Sequence, residues 1–377
     1  VNWRPHAQAL AESVTHRSSR WRDPVAGTPR HLFVPRWWER ADARWALQAP
    51  HDEGQWYAAA YRDTSLVTRV GPHHADRAKA DDHPTGRPTS SATLPSLVVS
   101  MLRHAYLDDG DQLLYVGTGT GYGTALAARR LHCEQVTSVD VDPYLVETAR
   151  ERLDTIALGP RVETADATGP LPVAAESTDS LVSMVSVRTI PTSWLTALCL
   201  GGRLVTTIAG TSLLVTAEKD NDGGATGHVQ WDRAGFMPVR HGDDYPPSLA
   251  PLLAAARHQD GEEVTTGPYP VVQVEEAWDL DSMLSLTAPG IVHEYREHKG
   301  QRTAIMAHAD GSWARATAEG TGRPTVHQGG PQRLWDILDG IRQDWLATGE
   351  LPVRGARVFI SPEGRTILAR GEWHAQL

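Results

Sequence analysis

Glycine occupies alternate positions, Gly117, Gly119 and Gly121, in the stretch LLYVGTGTGYGTALAA, between strand-forming and helix-forming residues. Glycine takes left-handed backbone conformations without a Cβ penalty, so such a turn lets a ligand lie against the main chain. The dinucleotide fingerprint G-x-G-x-x-G does not fit, because counting from Gly117 the sixth position is Tyr122, and counting from Gly119 it is Thr124. The G-x-G-x-G spacing suits a nucleoside ligand without a pyrophosphate, namely S-adenosylmethionine. Its amino-acid end is expected against Gly117, Thr118, Gly119, Gly121 and Tyr122. Asp140, followed by Val141, falls at the end of the next strand, where a carboxylate can accept hydrogen bonds from both ribose hydroxyls. Asp166, followed by Ala167 in TADATG, is placed after a third strand to receive the adenine amino group. Taken singly, the glycines also read as a tight strand-to-helix connection and Asp140 as a helix cap. Tyr115 is the odd residue, since the first strand of such a pocket often carries a charge there.

Positioning these residues requires alternating strands and helices. From Ser96, SLVVSMLRHAYL reads as helix, QLLYV as strand, YGTALAARRL as helix, VTSVDV as strand, and PYLVETARERL as a helix capped by Asp142 with Pro143 in its first turn. RVETA and SLVSMVS follow as strands, SWLTALC as a helix, and GGRLVTTIA as a glycine turn into a strand. This order predicts a parallel sheet covered on both faces over residues 96–215. Residues 1–95 read as a helical segment on the substrate side, in which Trp37, Trp38, Trp45 and Trp56 either line a peptide groove or pack helices on the sheet. Within them, GPHHADRAKADDHPTGRPTSS has no periodicity and reads as an exposed loop, mobile or functional. Its His73, His74, Asp81, Asp82 and His83 lack regular ligand spacing, and no metal site is expected. Residues 216–377 read as an α+β extension, with a helix in PQRLWDILDGIRQDWLATG and a hairpin in ARVFISPEGRTILARG.

A chain of 377 residues exceeds one ordinary domain and predicts a core plus a sizeable added unit. The formal charge of −10, with basic residues scattered, supplies no field for nucleic acid. Cys133 and Cys199 show no CxxC or Cys/His spacing, which argues against a disulfide framework or structural zinc and fits a reducing cytosol. No apolar run reaches the roughly 20 residues that span a bilayer. VNWRPHAQAL lacks the pattern of a secretion signal, so a soluble cytoplasmic protein without a membrane partner is expected.

Several short motifs in one order resemble the protein-L-isoaspartate O-methyltransferase family over roughly residues 30–210. RHLFVP resembles the family's Arg-x-x-Phe-Val-Pro segment, and AAYRDTSLV its Ala-Tyr-x-Asp-x-Pro-Leu segment, with Ser65 in place of the proline. VGTGTGYGTALAA is similar to its Gly-Thr-Gly-Ser-Gly-Tyr turn, DSLVSMVSVRTIP stands where an Asp-x-Ile-x-Val-Thr-Ala-Ala-Ala-Pro-x-Ile-Pro segment does, and LGGRLV follows. The resemblance implies a Rossmann-like doubly wound α/β methyltransferase sheet with S-adenosylmethionine as cofactor, and methyl transfer to a peptide carboxylate. That acceptor is already ionised at neutral pH, its reference pKa being about 4, so no general base is needed. The family's Thr-x-Ser-x-Pro stretch beside the methyl group aligns with Ser91 and Thr93 in SSATLP, which the resemblance makes the catalytic pair. The same hydroxyls also read as caps of the helix beginning near Pro95.

Three departures redirect the substrate. The polar segment from Gly71 to Pro88 is inserted where repair enzymes are shorter, and Val187 and Arg188 replace a small Ala-Pro end on the substrate side. A guanidinium there can pair with an acceptor carboxylate or bridge a surface acid. The extension has no counterpart in a single-domain repair enzyme. Together with AGFMPVR and DGSWARA, these features resemble methyltransferases of ribosomally made modified peptides, those cross-linked by ATP-grasp enzymes (graspetides) or lanthipeptides. The implied acceptor is an aspartate in a macrocyclic precursor peptide, whose ester closes to a succinimide (aspartimide) and opens in part to isoaspartate. General isoaspartyl repair, a non-catalytic cofactor- or peptide-binding protein, and a nicotinamide oxidoreductase, which the glycine spacing disfavours, are the rival readings.

Overall fold

The computed structural model describes residues 2–41, 44–50, 52–242 and 249–377. At the centre of the fold, strand Leu113–Val116 sends alternate side chains to opposite faces, as a period of two requires. Leu113 and Tyr115 join one core with helices Pro95–His104, Tyr122–Arg130 and Pro143–Thr155, while Leu114 and Val116 join another with helices Thr192–Ala197 and Trp278–Thr287. Both faces of the sheet are therefore covered, the Rossmann-like doubly wound arrangement expected of a methyltransferase. Five strands run parallel in the order Arg161–Thr164, Val136–Asp140, Leu113–Val116, Thr178–Val187 and Leu198–Ile208.

The sheet does not stop there. Leu213–Lys219 pairs antiparallel with Leu198–Ile208, and Ala225–Arg233 with Leu213–Lys219. The EKDNDGGATGH stretch thus contains the turn of a hairpin. Strands Arg357–Ile360, Thr366–Arg370 and Trp373–Gln376 then return from the far end of the chain to complete ten strands among the described residues. Residue 215 lies inside strand Leu213–Lys219, so the sequence beyond it divides between two sheets. The second, antiparallel, has the order Glu263–Thr266, Thr325–Gly329, Trp313–Glu319, Gln301–Ala307, Val292–His298 and packs on helices Trp278–Thr287 and Leu334–Ala347.

The described residues of 2–95 hold three helices, a small antiparallel sheet and, between two of its strands, a fourth helix Glu53–Ala60, where a helical segment is expected from sequence. Trp37, Trp38 and Trp45 are buried, and the Trp38, Trp45 and Trp56 indoles donate to His73 O, Gly86 O and Val34 O. These tryptophans pack the segment internally. No helix among the described residues is long and apolar enough to cross a membrane.

Candidate functional site

The glycine turn joins strand Leu113–Val116 to helix Tyr122–Arg130, and all three glycines have positive φ: 89° at Gly117, 53° at Gly119 and 91° at Gly121. A Cβ at Gly121 would stand 3.1 Å from Ala149 Cβ, so that glycine also lets two helices approach. Thr118 and Thr124 brace the turn from below through the Ser138 hydroxyl, at 2.6 and 3.0 Å. Gly119 N donates to Asp140 Oδ2 at 2.8 Å, and Asp142 N donates to Asp140 Oδ1 at 3.1 Å. The carboxylate is thereby fixed at the end of its strand. Burial pushes the Asp140 carboxyl up, with those two amides pulling the other way.

Tyr115 replaces a charge with bulk. It is buried, and a Cβ at Gly123 would overlap its hydroxyl, so the tyrosine and the second glycine of GYG are a matched pair. Desolvation holds the Tyr115 phenol well above its ordinary value, and it stays neutral. The Tyr122 hydroxyl is buried and has no hydrogen-bond partner, although its ring lines the cavity.

That cavity, of about 310 Å³, lies beyond the carboxyl ends of the parallel strands, where open α/β sheets bind ligands. Its lining includes Gly117, Thr118, Gly119, Tyr122, Asp140, Val141 and Ala167, and on the other side Ser91 and Thr93. Gly121 and Asp166 are absent from the lining. Asp166 accepts from Thr168 N at 2.9 Å and pairs with His241 Nδ1 at 2.8 Å. Burial raises this carboxyl, but His241 and Thr168 more than offset it and leave it below the usual range.

Ser91 and Thr93 do not cap the helix at Pro95. Leu94 N donates to Ser65 Oγ at 3.0 Å and Ser96 N to Asp63 Oδ1 at 2.9 Å, so the serine that replaces the family proline has become part of the cap. Arg30, fully buried, holds the cavity wall that carries Ser91 and Thr93. Its guanidinium donates to Ala60 O, to Arg62 O at 3.2 Å, Thr64 O at 3.0 Å, Ala92 O at 3.3 Å and Thr93 O at 3.2 Å. Val187 is buried in the core, and Arg188 turns away from the cavity to donate to Ser285 O and Leu286 O, both at 2.9 Å. Its donors tie the extension to the sheet rather than face an acceptor. What the sequence reading did not place is the wall from Gly235 to Arg240, held by Ser186 N to Met237 O at 3.0 Å and Val239 N to Ser186 O at 2.8 Å. AGFMPVR stood out in the sequence, but its pairing with Ser186 is non-local. No group of three or more His, Cys, Asp or Glu among the described residues is arranged to hold a metal ion.

Residues 75–243 match the family Protein-L-isoaspartate(D-aspartate) O-methyltransferase (PCMT). A protein-L-isoaspartate O-methyltransferase of Alcanivorax borkumensis is 28% identical over 221 residues, 58% of this chain and 83% of that protein. Protein-L-isoaspartate O-methyltransferase 1 of Anaeromyxobacter is 33% identical over 134 residues, 34% of this chain and 62% of that protein, so the chain spans under two thirds of the latter's length. A solved protein-L-isoaspartate O-methyltransferase superposes with a TM-score of 0.48 at 17% identity, covering 99% of each chain.

Proposed function

We propose that the protein, whose residues 75–243 match the protein-L-isoaspartate O-methyltransferase family, methylates an aspartate side-chain carboxylate in a macrocyclic precursor peptide, using S-adenosylmethionine. The observation that carries this reading is one cavity lined on one side by the glycine turn and Asp140 and on the other by Ser91 and Thr93. The residues fit the cofactor: three positive-φ glycines leave the main chain open, Asp140 stands ready for ribose hydroxyls, and Tyr122 has a buried hydroxyl without a partner.

When bound, the sulfonium supplies an electrophilic methyl, whose carbon–sulfur bond breaks as a carboxylate oxygen bonds to the carbon. The chain's own part is positional. Leu94, Leu97, Val98 and Phe236 exclude water from the cavity, which strengthens charge attraction inside it. Ser91 and Thr93 orient the acceptor, and Arg30 fixes the strand and turn that carry them. Asp166, tied to His241, is assigned to the adenine end although it lies outside the cavity lining. Methylation converts a poor leaving group into a good one, so the following amide nitrogen of the peptide can attack the ester carbonyl and expel methanol, closing a succinimide. Recognition of the larger peptide is assigned to residues 216–377.

General isoaspartyl repair is the second reading. It is favoured by the retained hydroxyls of Ser91 and Thr93 on the same cavity as the glycine turn. Intact mass spectrometry separates the two. The full chain is incubated with S-adenosylmethionine and either a generic isoaspartyl peptide or the cross-linked precursor peptide encoded beside its gene. Gain of one methyl group, or its conversion to net loss of one water, on the precursor alone is the expected result. Methylation of the isoaspartyl peptide alone would return the protein to repair, and no methylation of either would favour a non-catalytic binding protein.

A further inference from the structure

The segment following Gly71, expected as an exposed loop, is tied down on two sides. Toward the N-terminal sheet, His73 O accepts from the Trp38 indole at 3.1 Å, Gly86 O from the Trp45 indole at 3.0 Å, and Asp76 O from Arg36 at 3.2 Å. Toward helix Pro143–Thr155, His74 packs edge-on against Tyr144 with ring centroids 4.3 Å apart, the Arg77 guanidinium lies 3.8 Å from the Tyr144 centroid, and Asp76 pairs with Arg152 at 2.7 Å.

The innermost contact falls on Asp142. This carboxylate, 8% exposed, has Oδ2 at 2.7 Å from Arg69 Nη1 and 3.2 Å from His74 Nε2, while its Oδ1 accepts from Tyr144 N at 3.0 Å and caps the helix. Burial raises the Asp142 carboxyl, but His74 and Arg69 more than offset this, leaving it below its ordinary value. Asp142 is therefore an anion gripped by two basic side chains. Its own amide holds Asp140 Oδ1 at 3.1 Å, and Asp140 Oδ2 holds Gly119 N at 2.8 Å. Moving Asp142 moves the carboxylate on the cavity. Arg69 belongs to strand Leu66–Val70, whose partner strand Pro88–Ala92 carries Ser91, with Val67 opposite Ser91. One hairpin thus borders the acceptor and also grips the cofactor loop.

We propose that Arg69 and His74 are positioning residues for the cofactor site, acting through Asp142 on Asp140, so that the inserted segment and the strand leading into it set the affinity for the S-adenosyl group. The inference rests on the methyltransferase reading above. Neither side chain touches the cofactor position; each fixes the loop that does.

The test is calorimetric binding of S-adenosylhomocysteine to the full chain, together with KM for S-adenosylmethionine and kcat at saturation. His74→Gln and Arg69→Lys are expected to weaken binding about three- to tenfold, the scale of one net hydrogen bond, and to raise KM with kcat within about twofold. Lys79→Ala, exposed in the same segment, is expected to bind as the unaltered protein does. Because His74 acts through Asp142, His74→Gln added to Asp142→Asn should cost no further affinity. A merely structural role would lower the melting temperature and leave the affinity of the folded protein unchanged. Unchanged binding in His74→Gln and Arg69→Lys, or effects of His74→Gln and Asp142→Asn that simply add, would overturn the proposal. Failure of the unaltered protein to bind S-adenosylhomocysteine would instead overturn the methyltransferase reading and take this inference with it.

Discussion

A tyrosine in a strand that faces a nucleoside pocket changes what its neighbours are allowed to be. Tyr115 fills the space beneath Gly123 in the first turn of the helix, and any side chain at 123 meets the phenol. Gly123→Ala is therefore expected to lower stability by about 1–3 kcal/mol, as overpacking of a well-filled core does. This runs against the usual gain from replacing a helical glycine by alanine. Urea unfolding midpoints of the two proteins check the sign, and a more stable alanine variant would mean that the helix and ring separate easily. The charge that such a pocket often carries in its first strand has no substitute at this position. Its work of ordering the turn falls to Asp140, through Gly119 N.

At the level of elements, the helix Pro95–His104 carries on its N-terminus the segment whose Ser91 and Thr93 line the cavity, and its cap comes from about thirty residues upstream. Asp63→Ala removes the acceptor for Ser96 N and is expected to cost about 1 kcal/mol, with Asp63→Asn recovering most of it because the amide oxygen still accepts. Thermal melts of the three proteins decide this, and equal melts would show the cap to be dispensable. The same long reach explains what was and was not legible in sequence. The glycine turn, the strand ending at Asp140 and the helix opened by Asp142 and Pro143 are local patterns, and each lies where its pattern placed it. Arg188 stands where the resemblance puts a substrate-side segment, with a surface ion pair as the alternative, yet its donors are used by Ser285 O and Leu286 O, almost a hundred residues on. The segment after Gly71 lacks periodicity because buried ion pairs and indole hydrogen bonds order it, and neither leaves a repeat in the sequence. The second hydrophobic face of the sheet likewise draws on residues from both ends of the extension.

For the molecule as a whole, a buried histidine and a half-buried one set an acid limit. Burial pushes His31, beside the Tyr61 hydroxyl, and His293, in the second sheet, down to about 4 from their ordinary 6.5. Between those values the unfolded chain takes up protons that the folded chain refuses, so stability is full above about pH 6.5 and falls as the pH drops toward 4. Melting temperature measured across this window should decline, and His31→Asn or His293→Asn should flatten the decline even where it lowers the plateau. An identical slope in both variants would place the loss elsewhere.

The ten-stranded sheet is completed by residues far downstream in the chain. Among the described residues strand Ala225–Arg233 has its outer partner in Arg357–Ile360, so while roughly 120 intervening residues leave the ribosome, on the order of 6–25 s at ordinary elongation rates, its edge lacks that neighbour. A nascent chain stalled in that interval holds the entire cofactor turn and presents an open strand to any other chain nearby. Slower translation through the second sheet is then expected to lengthen the exposure of that edge.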